Sequence, residues 1–297
     1  MNLQCGASAP LSFGALPRVW QVARGELDLT RPQVMGIVNV TPDSFSDGGL
    51  YSDTAAAIRH CERLVKEGAD LLDIGGESTR PGAAALDAEA QCRRVMPVLK
   101  AALSLGVLVS VDTSDSDVMR RALAMGTDIV NDVRALRSSA ALALLASHPS
   151  AGVCLMHLRG EPAQMQSLAD YHDVTGEVLE EMKRSLQRAQ EAGIAASRIV
   201  LDPGIGFAKL PQHNLILLAE QQRLLALGRP LLVGWSRKSV LGQITGKPVQ
   251  DRQAASVAAA LLAVQRGASI VRVHDVAATV DALKVLQSLD EVLQGLD

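Results

Sequence analysis

The stretch VLVSVDTSDSDVMRRALAMGTDIVND, residues 107–132, contains a strand, a helix and the start of a second strand, in that order. Its first apolar run, 107–111, does not alternate strictly with polar residues, which is typical of a strand buried on both faces of a parallel sheet. An amphipathic pattern over 116–125 predicts a helix, and Gly126 stands where that helix should end. The run at 129–130 predicts the next strand, so the stretch is a βα unit leading into a parallel neighbour.

The same unit recurs along the chain. Eight apolar runs predict strands at residues 34–38, 71–74, 107–111, 129–130, 153–156, 199–201, 231–233 and 270–273. Amphipathic stretches alternate with them at residues 53–67, 87–105, 116–125, 140–147, 173–192, 212–227, 251–266 and 276–293. This alternation predicts an α/β protein with a single (β/α)8 TIM barrel. A doubly wound sheet is the main alternative, but NVTPDSFSDGG follows the first strand where that fold would carry GxGxxG.

The predicted domain organisation is a short lead-in and one catalytic domain. Residues 1–33 are punctuated by Pro and Gly, show no long periodicity and could include a short hairpin that closes the base of the barrel. Residues 34–297 form the predicted (β/α)8 domain, since α/β barrels commonly run to ~250 residues as one unit.

The composition is that of a globular protein with a large core, with 48% hydrophobic and 21% charged residues. The formal net charge is −3, and no run of Lys or Arg indicates a surface for nucleic acid or for an anionic membrane. The four cysteines form no CxxC pair, which favours reduced thiols. No apolar run approaches ~18 residues and the first residues lack a signal-peptide pattern, so we expect a cytoplasmic protein without a membrane span.

Nearly every predicted strand ends on a polar residue. These residues are Asn39, Asp73, Asp112, Asn131, His157, Asp202, Ser236 and the pair Arg272 and His274. In a TIM barrel the carboxyl ends of the strands share one rim, where the loops build the active site. The alternative is that each residue caps a helix or opens a turn. Capping does not require a polar residue on every strand, so the pattern favours an active site at this rim.

Two segments are candidates for binding an anion. Arg272 and His274 are two residues apart on a strand and so leave the same face, where they could clamp phosphate oxygens. The alternative is a surface ion pair and a rim histidine. The loop 75–82, GGESTRPG, offers backbone N–H groups and the Arg80 cation, although loops of this composition are common.

Three other loops could shape a pocket. The polar loop 38–49 contains Phe45, which suits either a lid or a surface Ω-loop. Glycines in the segment 202–209 permit close approach to a ligand, and Phe207 could form a wall for an aromatic ring. The segment 236–238 adds cationic donors. No GxSxG, HExxH or CxxC pattern indicates a nucleophilic triad or a transition-metal site.

Eight of these segments together resemble the dihydropteroate synthase family. They are MGIVNVTPDSFSDGG (35–49), GADLLDIGGESTRPGA (68–83), VSVDTS (109–114), IVNDV (129–133), LMHLRGEPAQMQ (155–166), LDPGIGFAK (201–209), GWSRKS (234–239) and IVRVHDV (270–276). The first two are the most specific. The resemblance implies a barrel enzyme that transfers the dihydropterin-methyl group of 6-hydroxymethyl-7,8-dihydropterin pyrophosphate to p-aminobenzoate and releases pyrophosphate. It also implies a Mg²⁺ cofactor and a homodimer, to which the Ala-rich stretch 254–263 could contribute.

The resemblance implies a role for individual side chains. Asn39 would help to hold Mg²⁺ on the pyrophosphate. The anion would be contacted by Thr79, Arg80, Arg272 and His274. The pterin would be hydrogen-bonded by Asp112, Asn131, Asp202 and Lys238, with Met156 packed against it. The p-aminobenzoate position would be framed by Phe45, Pro81, Phe207 and Ser236. The catalytic set would be Arg80, Asp112, Lys238, Arg272 and His274.

Three residues depart from the pattern of the family. Arg159 stands where many relatives have Gln, and Ala208 replaces a frequent Gly. Trp235 stands where a smaller apolar residue is common, which brings the packing beside the p-aminobenzoate pocket into question.

The hypothesis for the chemistry is an SN1-like loss of pyrophosphate. Ionised Asp112 and Asp202 would stabilise the cation that develops on the dihydropterin ring, while Mg²⁺ and the cationic side chains stabilise the leaving group.

Two alternatives share parts of this pattern. A methyltransferase-type pterin barrel would not need the anion-binding residues, and a non-catalytic pterin-binding paralogue would have lost Asn39, Arg80 or Arg272. An unrelated phosphate-binding barrel would carry its Gly-rich loop after the seventh or eighth strand.

Overall fold

The computed structural model of the chain describes residues 16–40, 49–77, 86–161 and 164–294. It confirms the predicted (β/α)8 barrel, in which eight parallel strands form a closed ring. Each barrel strand pairs with its neighbours in the sequence, and the last pairs with the first through registers such as Arg272 opposite Met35. The strands are β1 (Val19–Val22), β2 (Gly25–Asp28), β3 (Gln33–Asn39), β4 (Leu71–Gly75), β5 (Leu108–Asp112), β6 (Ile129–Asp132), β7 (Gly152–Met156), β8 (Ile199–Asp202), β9 (Leu231–Val233) and β10 (Ala268–Val273).

Helices cover the outside of the barrel. Within the described ranges they are α1 (Gly49–Lys66), α2 (Ala88–Ala102), α3 (Ser116–Ala124), α4 (Ser139–Ser147), α5 (Val174–Glu191), α6 (Pro211–Ala219), α7 (Ser239–Thr245), α8 (Gln253–Gln265) and α9 (Val276–Gln294). Side chains of Asp87, Asp115, Ser138 and Asp173 cap the starts of α2, α3, α4 and α5, which explains why those starts are visible in the sequence.

Two helical predictions differ from the structure. The stretch predicted at 212–227 is α6 followed by a separate 3-10 helix, Gln221–Leu227. The short helix α7 was not predicted, because seven residues are too few to show a helical periodicity.

The core has two layers. One lies between the strands and the helices, and the other fills the lower lumen of the barrel with Met35, Leu71, Ile129, Cys154, Val200, Leu232 and Ile270. The antiparallel hairpin β1–β2 lies against this second layer. Its Trp20 is fully buried, and the indole Nε1 donates a hydrogen bond to the Arg198 carbonyl at 2.8 Å.

The hairpin is tied to the barrel in two further ways. Arg24 binds the buried Asp128 carboxylate with both Nε and Nη2, each at 2.7 Å. A Cβ on Gly152 would lie 2.9 Å from Val22, so only glycine permits this close packing of β7 on the hairpin. The lower end of the lumen is therefore closed and apolar. Within the part of the chain that is described, no helix is both long and apolar enough to cross a bilayer.

Candidate active site

The barrel lumen changes from apolar to charged directly above the lower layer. Side chains two residues apart on a strand leave the same face, so strands that supply the apolar layer also supply the layer above it. That upper layer contains Asp73, Asn131, Met156, Asp202 and Arg272, each two residues after a member of the apolar layer. The structure thus brings these five side chains, which are far apart in the sequence, to one level of the lumen.

The upper layer and the strand ends above it form the mouth of the barrel. Arg272 lies between two carboxylates of this mouth. Its Nε donates to Asp73 Oδ2 at 2.6 Å, and its Nη2 donates to Asp112 Oδ2 at 2.8 Å. Asn131 Nδ2 donates to the same oxygen of Asp73 at 3.0 Å. Burial alone would lower the pKa of Arg272, but Asp73 and Asp112 outweigh burial and raise it. The guanidinium is therefore a fixed cation, and its fork is occupied by carboxylates.

Asp73 is the residue that the sequence interpretation missed. It was recognised only as a polar strand end, yet its carboxylate is fully buried and joins Arg272 to Asn131. Its second oxygen, Oδ1, has no hydrogen-bond partner in the described structure. The signal that could have revealed it is its spacing of two from Leu71, the same spacing that places Asn131 above Ile129.

The two carboxylates predicted to bind the pterin have raised pKa values. Burial, followed by the charge of Asp73, raises the pKa of Asp112 to about 7, while Arg272 opposes this shift. Burial also raises the pKa of Asp202, whose Oδ1 accepts a hydrogen bond from the Gly204 N–H at 2.7 Å. Ionisation of Asp112 therefore falls in the neutral pH range.

A second wall of the mouth carries Phe207 and Lys238. The Lys238 ammonium lies 4.1 Å from the centroid of the Phe207 ring, within range for a cation–π interaction. Burial, followed by Arg272, lowers the pKa of Lys238 to about 8. Met156 packs nearby with Leu158, Met165 and Ala208 in a small apolar cluster that Phe207 joins. An aromatic ring and a cation are thus held together above an apolar surface.

Ser236 and His274 form a hydrogen-bonded pair at the ends of neighbouring strands. Ser236 Oγ lies 3.0 Å from His274 Nδ1 and accepts a hydrogen bond from the His274 backbone N–H at 3.1 Å. Burial, followed by the charges of Arg237 and Arg272, lowers the pKa of His274 to about 3. The imidazole is therefore neutral at physiological pH in the absence of a ligand, with Nε2 as its N–H donor when Nδ1 accepts from Ser236.

The backbone at Arg237 sets the direction of its neighbours Ser236 and Lys238. Arg237 has a φ of 59°, which is uncommon for a residue with a side chain. Its Nη2 donates to Asp275 Oδ1 at 2.7 Å, and its N–H donates to Ser256 Oγ at 2.9 Å. These contacts hold the turn after β9, and their contribution was not visible in the sequence.

One strand-end residue, His157, does not point into the mouth as the rim pattern predicted. Met156 faces the lumen, so His157 faces outward, where it is buried against Glu181 of α5. Trp235 packs in the layer between strands and helices, so its bulk lies outside the mouth. The pattern failed at His157 because a strand end fixes the height of a residue but not the face on which it lies.

The remaining predicted residues concern the anion, the metal and part of the p-aminobenzoate position. Thr79, Arg80 and Pro81, and Phe45 in the first loop, lie outside the described residues. Asn39 ends β3, four residues after Met35 and therefore on the lumen face. Its side chain has no hydrogen-bond partner in the portion described, and no group of three His, Cys, Asp or Glu residues there could hold a metal ion.

Comparisons with known proteins define the class to which this barrel and its mouth belong. Residues 35–274 match the family described as pterin binding enzyme. A dihydropteroate synthase of Neisseria meningitidis serogroup C is 52% identical over 275 residues, which are 91% of this chain and 97% of that protein. The chain belongs to the dihydropteroate synthase family and is a transferase.

Solved structures agree with this assignment. A Xanthomonas albilineans dihydropteroate synthase with 4-aminobenzoic acid superimposes with a TM-score of 0.85 at 50% identity, covering 89% of this chain and 95% of that chain. The enzyme from the same organism in complex with 7,8-dihydropteroate superimposes with a TM-score of 0.82 at 47% identity, covering 89% and 96%.

Proposed function

We propose that this protein transfers the dihydropterin-methyl group of 6-hydroxymethyl-7,8-dihydropterin pyrophosphate to p-aminobenzoate and releases pyrophosphate. The observation that carries the proposal is the convergence of Asp112, Asn131, Asp202, Lys238 and Arg272 in one lumen above a closed apolar base. The two Xanthomonas albilineans structures contain 4-aminobenzoic acid and 7,8-dihydropteroate, which are the second substrate and the product of this reaction. A methyltransferase-type barrel or a non-catalytic pterin-binding paralogue is less well supported, because a relative at 52% identity is a dihydropteroate synthase.

The deep part of the mouth suits the pterin ring. The ring presents N–H and amino donors along one edge and acceptors along another, and carboxylates, an amide and an ammonium can pair with them. Asp202 keeps one oxygen for Gly204 and has a second oxygen available for a ligand donor. Met156 would support the face of the ring. We therefore place the pterin at the level of Asn131 and Asp202.

The bond that breaks joins the pterin methylene carbon to the pyrophosphate oxygen, which keeps the electron pair. The cation that remains is delocalised into the dihydropterin ring, and ionised Asp112 and Asp202 would stabilise it electrostatically. Each such interaction is worth ~2–4 kcal/mol of barrier. Because Asp112 has a pKa of about 7, the Arg272 contact at 2.8 Å is what favours its ionised form near neutral pH.

The leaving group would be stabilised from the rim. Asn39 fits a Mg²⁺ ion, because Mg²⁺ commonly takes one or two protein oxygens and completes its shell with phosphate oxygens and water. When bound, Mg²⁺ would supply positive charge to the departing oxygens. The neutral His274 would donate from Nε2 to the pyrophosphate. Arg272 retains Nη1 as the guanidinium nitrogen that does not contact a carboxylate among the residues described.

The new bond forms between the amine nitrogen of p-aminobenzoate and the methylene carbon, and the amine loses one proton to solvent. An arylamine is a neutral nucleophile, so orientation matters more than a strong general base. Phe207 and Ser236 lie in the segments that follow β8 and β9, and would orient the aromatic amine over the methylene.

The proposal is tested by mixing the protein with Mg²⁺, the dihydropterin pyrophosphate and labelled p-aminobenzoate and measuring dihydropteroate. Asp112→Asn should lower kcat/KM by roughly 30- to 1,000-fold, because one transition-state interaction is lost. Asp117→Asn on the exposed face of α3 is the control and should leave kcat/KM unchanged. No product from the wild-type protein would refute the proposal, and a change below about threefold in Asp112→Asn would refute the role of that carboxylate.

We also propose that the protein is a homodimer that associates through its last helices. These helices carry exposed apolar side chains, at Ile244, Leu262, Val285, Leu289 and Val292. Apolar side chains of this kind that lie exposed together commonly mark an interface. A second copy of the chain is the partner that the family resemblance implies.

A further inference from the structure

Lys209, at the end of the loop after β8, is a buried lysine that the proposed reaction does not use. Its side chain is 3% exposed, and its Nζ lies 2.9 Å from His157 Nδ1, 3.0 Å from the Gly204 carbonyl oxygen and 3.0 Å from the Phe207 carbonyl oxygen. Burial lowers the pKa of Lys209 to about 7, and in the protonated form its three protons have three acceptors. All of its donors are therefore used inside the protein.

The other ring nitrogen of His157 also has a hydrogen-bond partner, on helix α5 outside the barrel. Its Nε2 lies 3.1 Å from Glu181 Oε2, and Arg159 Nη2 binds Glu181 Oε1 at 2.6 Å and Glu177 Oε2 at 2.7 Å. Burial and then the charge of Lys209 lower the pKa of His157 to about 4, so the ring is neutral. In that state Nδ1 accepts from Lys209 and Nε2–H donates to Glu181. A polar chain thus runs from α5 through β7 to the loop.

The loop rests closely on the strand that carries His157. Gly204 has a φ of 69°, and a Cβ there would lie 2.0 Å from the His157 carbonyl oxygen, which no side chain could tolerate. Between Phe207 and Lys209, Ala208 has a φ of 48°, a left-handed conformation that is unfavourable for alanine. The loop therefore adopts a strained path, and the contacts of Lys209 to carbonyls at both ends of the turn oppose its relaxation.

Phe207 is the residue whose position this arrangement determines. The Lys209 ammonium holds the carbonyl of Phe207, and the Phe207 ring contacts the Lys238 ammonium at 4.1 Å on the active-site side. A Cβ on Gly206 would lie 3.0 Å from Lys238 Cδ, so the loop also packs against the stem of that lysine.

We propose that Lys209 is a positioning residue that fixes the Phe207 ring and thereby forms the p-aminobenzoate side of the site. The inference rests on the proposed function. Lys209 does not contact substrate, because its protons are used by His157, Gly204 and Phe207. Its effect on p-aminobenzoate passes through the hydrogen bond that it donates to the Phe207 carbonyl.

Lys209→Met removes the three hydrogen bonds and keeps an unbranched side chain. We expect the KM for p-aminobenzoate to rise about tenfold, which corresponds to ~1.4 kcal/mol of lost orientation. The Kd for the dihydropterin pyrophosphate, measured by calorimetry without p-aminobenzoate, should stay within twofold. Lys247→Met, which makes the same change at an exposed lysine, is the control and should leave both values unchanged.

A double-mutant cycle distinguishes positioning from general damage to the fold. In a Phe207→Leu background, Lys209→Met should have no further effect on the KM for p-aminobenzoate, because both changes remove the same ring contact. The inference would be overturned if Lys209→Met weakened the binding of both substrates equally. It would also be overturned if the effects of Lys209→Met and Phe207→Leu on the KM for p-aminobenzoate were fully additive. If Lys209→Met does not fold, His157→Leu removes one acceptor of the same ammonium and is tested against the same two outcomes. An inactive wild-type protein would instead refute the proposed function.

Discussion

Asp73 shows how strongly a single buried carboxylate can govern its neighbours. It holds Arg272 and Asn131 on one oxygen, and its charge is the largest influence after burial on the raised pKa of Asp112. Since Asp73 binds both Arg272 and Asn131, it organises the charges of the mouth. Its importance at the residue scale follows from these contacts, none of which the sequence could reveal.

Asp73→Asn should shift the pH dependence of the reaction. A raised pKa means that Asp112 becomes ionised only as pH rises through about 7, so kcat/KM should fall on the acid side of that value. Removing the Asp73 charge lowers the pKa of Asp112, and so does releasing Arg272 to pair with it alone. We therefore expect the fall of kcat/KM on the acid side to occur at a pH that is lower by roughly one unit or more. The pH profile of Asp117→Asn is the control. If the acid side of the Asp73→Asn profile stays at the wild-type pH or moves to a higher pH, the role of Asp73 is contradicted.

Asn39→Ala should change the requirement for Mg²⁺. If the amide oxygen is one of the metal ligands, the Mg²⁺ concentration needed for half-maximal activity should rise roughly tenfold, and saturating Mg²⁺ should restore part of the rate. Activity of the wild-type protein is measured in EDTA and after Mg²⁺ is added back. Full wild-type activity in EDTA would remove the metal from the mechanism.

At the scale of secondary structure, the hairpin β1–β2 closes the base of the barrel with the fully buried Trp20. Trp20→Ala leaves a large cavity and an unpaired carbonyl at Arg198, so we expect the free energy of unfolding to fall by ~3–5 kcal/mol. The measurement is urea unfolding followed by circular dichroism. Val19→Ala, on the exposed face of the same strand, is the control and should change stability by less than about 1 kcal/mol. Equal stability of the two variants would show that the hairpin does not support the barrel.

The barrel strands were predictable because each is buried on both faces and therefore reads as a short apolar run. The layer positions of Asn131, Asp202 and Arg272 also follow from a spacing of two along a strand. The direction of His157 was mistaken because a strand-end position was used without its alternation relative to Met156. Helix α7 was missed because seven residues are too few to show a helical periodicity. The turn at Arg237 was missed because its conformation depends on tertiary contacts such as Arg237 with Asp275. The charge coupling in the mouth depends on distances that only the fold supplies.

At the scale of the whole molecule, association through the last helices is open to a direct test. Leu289→Glu, or Val285→Glu at a side chain that is 73% exposed, should shift the protein from dimer to monomer in sedimentation analysis, because a charge would be buried at the contact. Lys183→Glu on α5, also exposed, is the charge control and should leave the mass unchanged. A wild-type protein that sediments as a monomer at all concentrations would contradict the proposed homodimer.

Because the base of the barrel is closed and apolar, both substrates would have to enter from the rim at the opposite end. In the proposed arrangement the pterin binds at the deeper level and the aromatic amine at the level of Phe207, so an amine that binds first would block the path of the pterin. We therefore expect a compulsory sequence, in which the pterin is seated before the amine and excess amine slows the turnover. In the same proposed arrangement the pyrophosphate lies at the rim of the barrel, so it would dissociate before dihydropteroate.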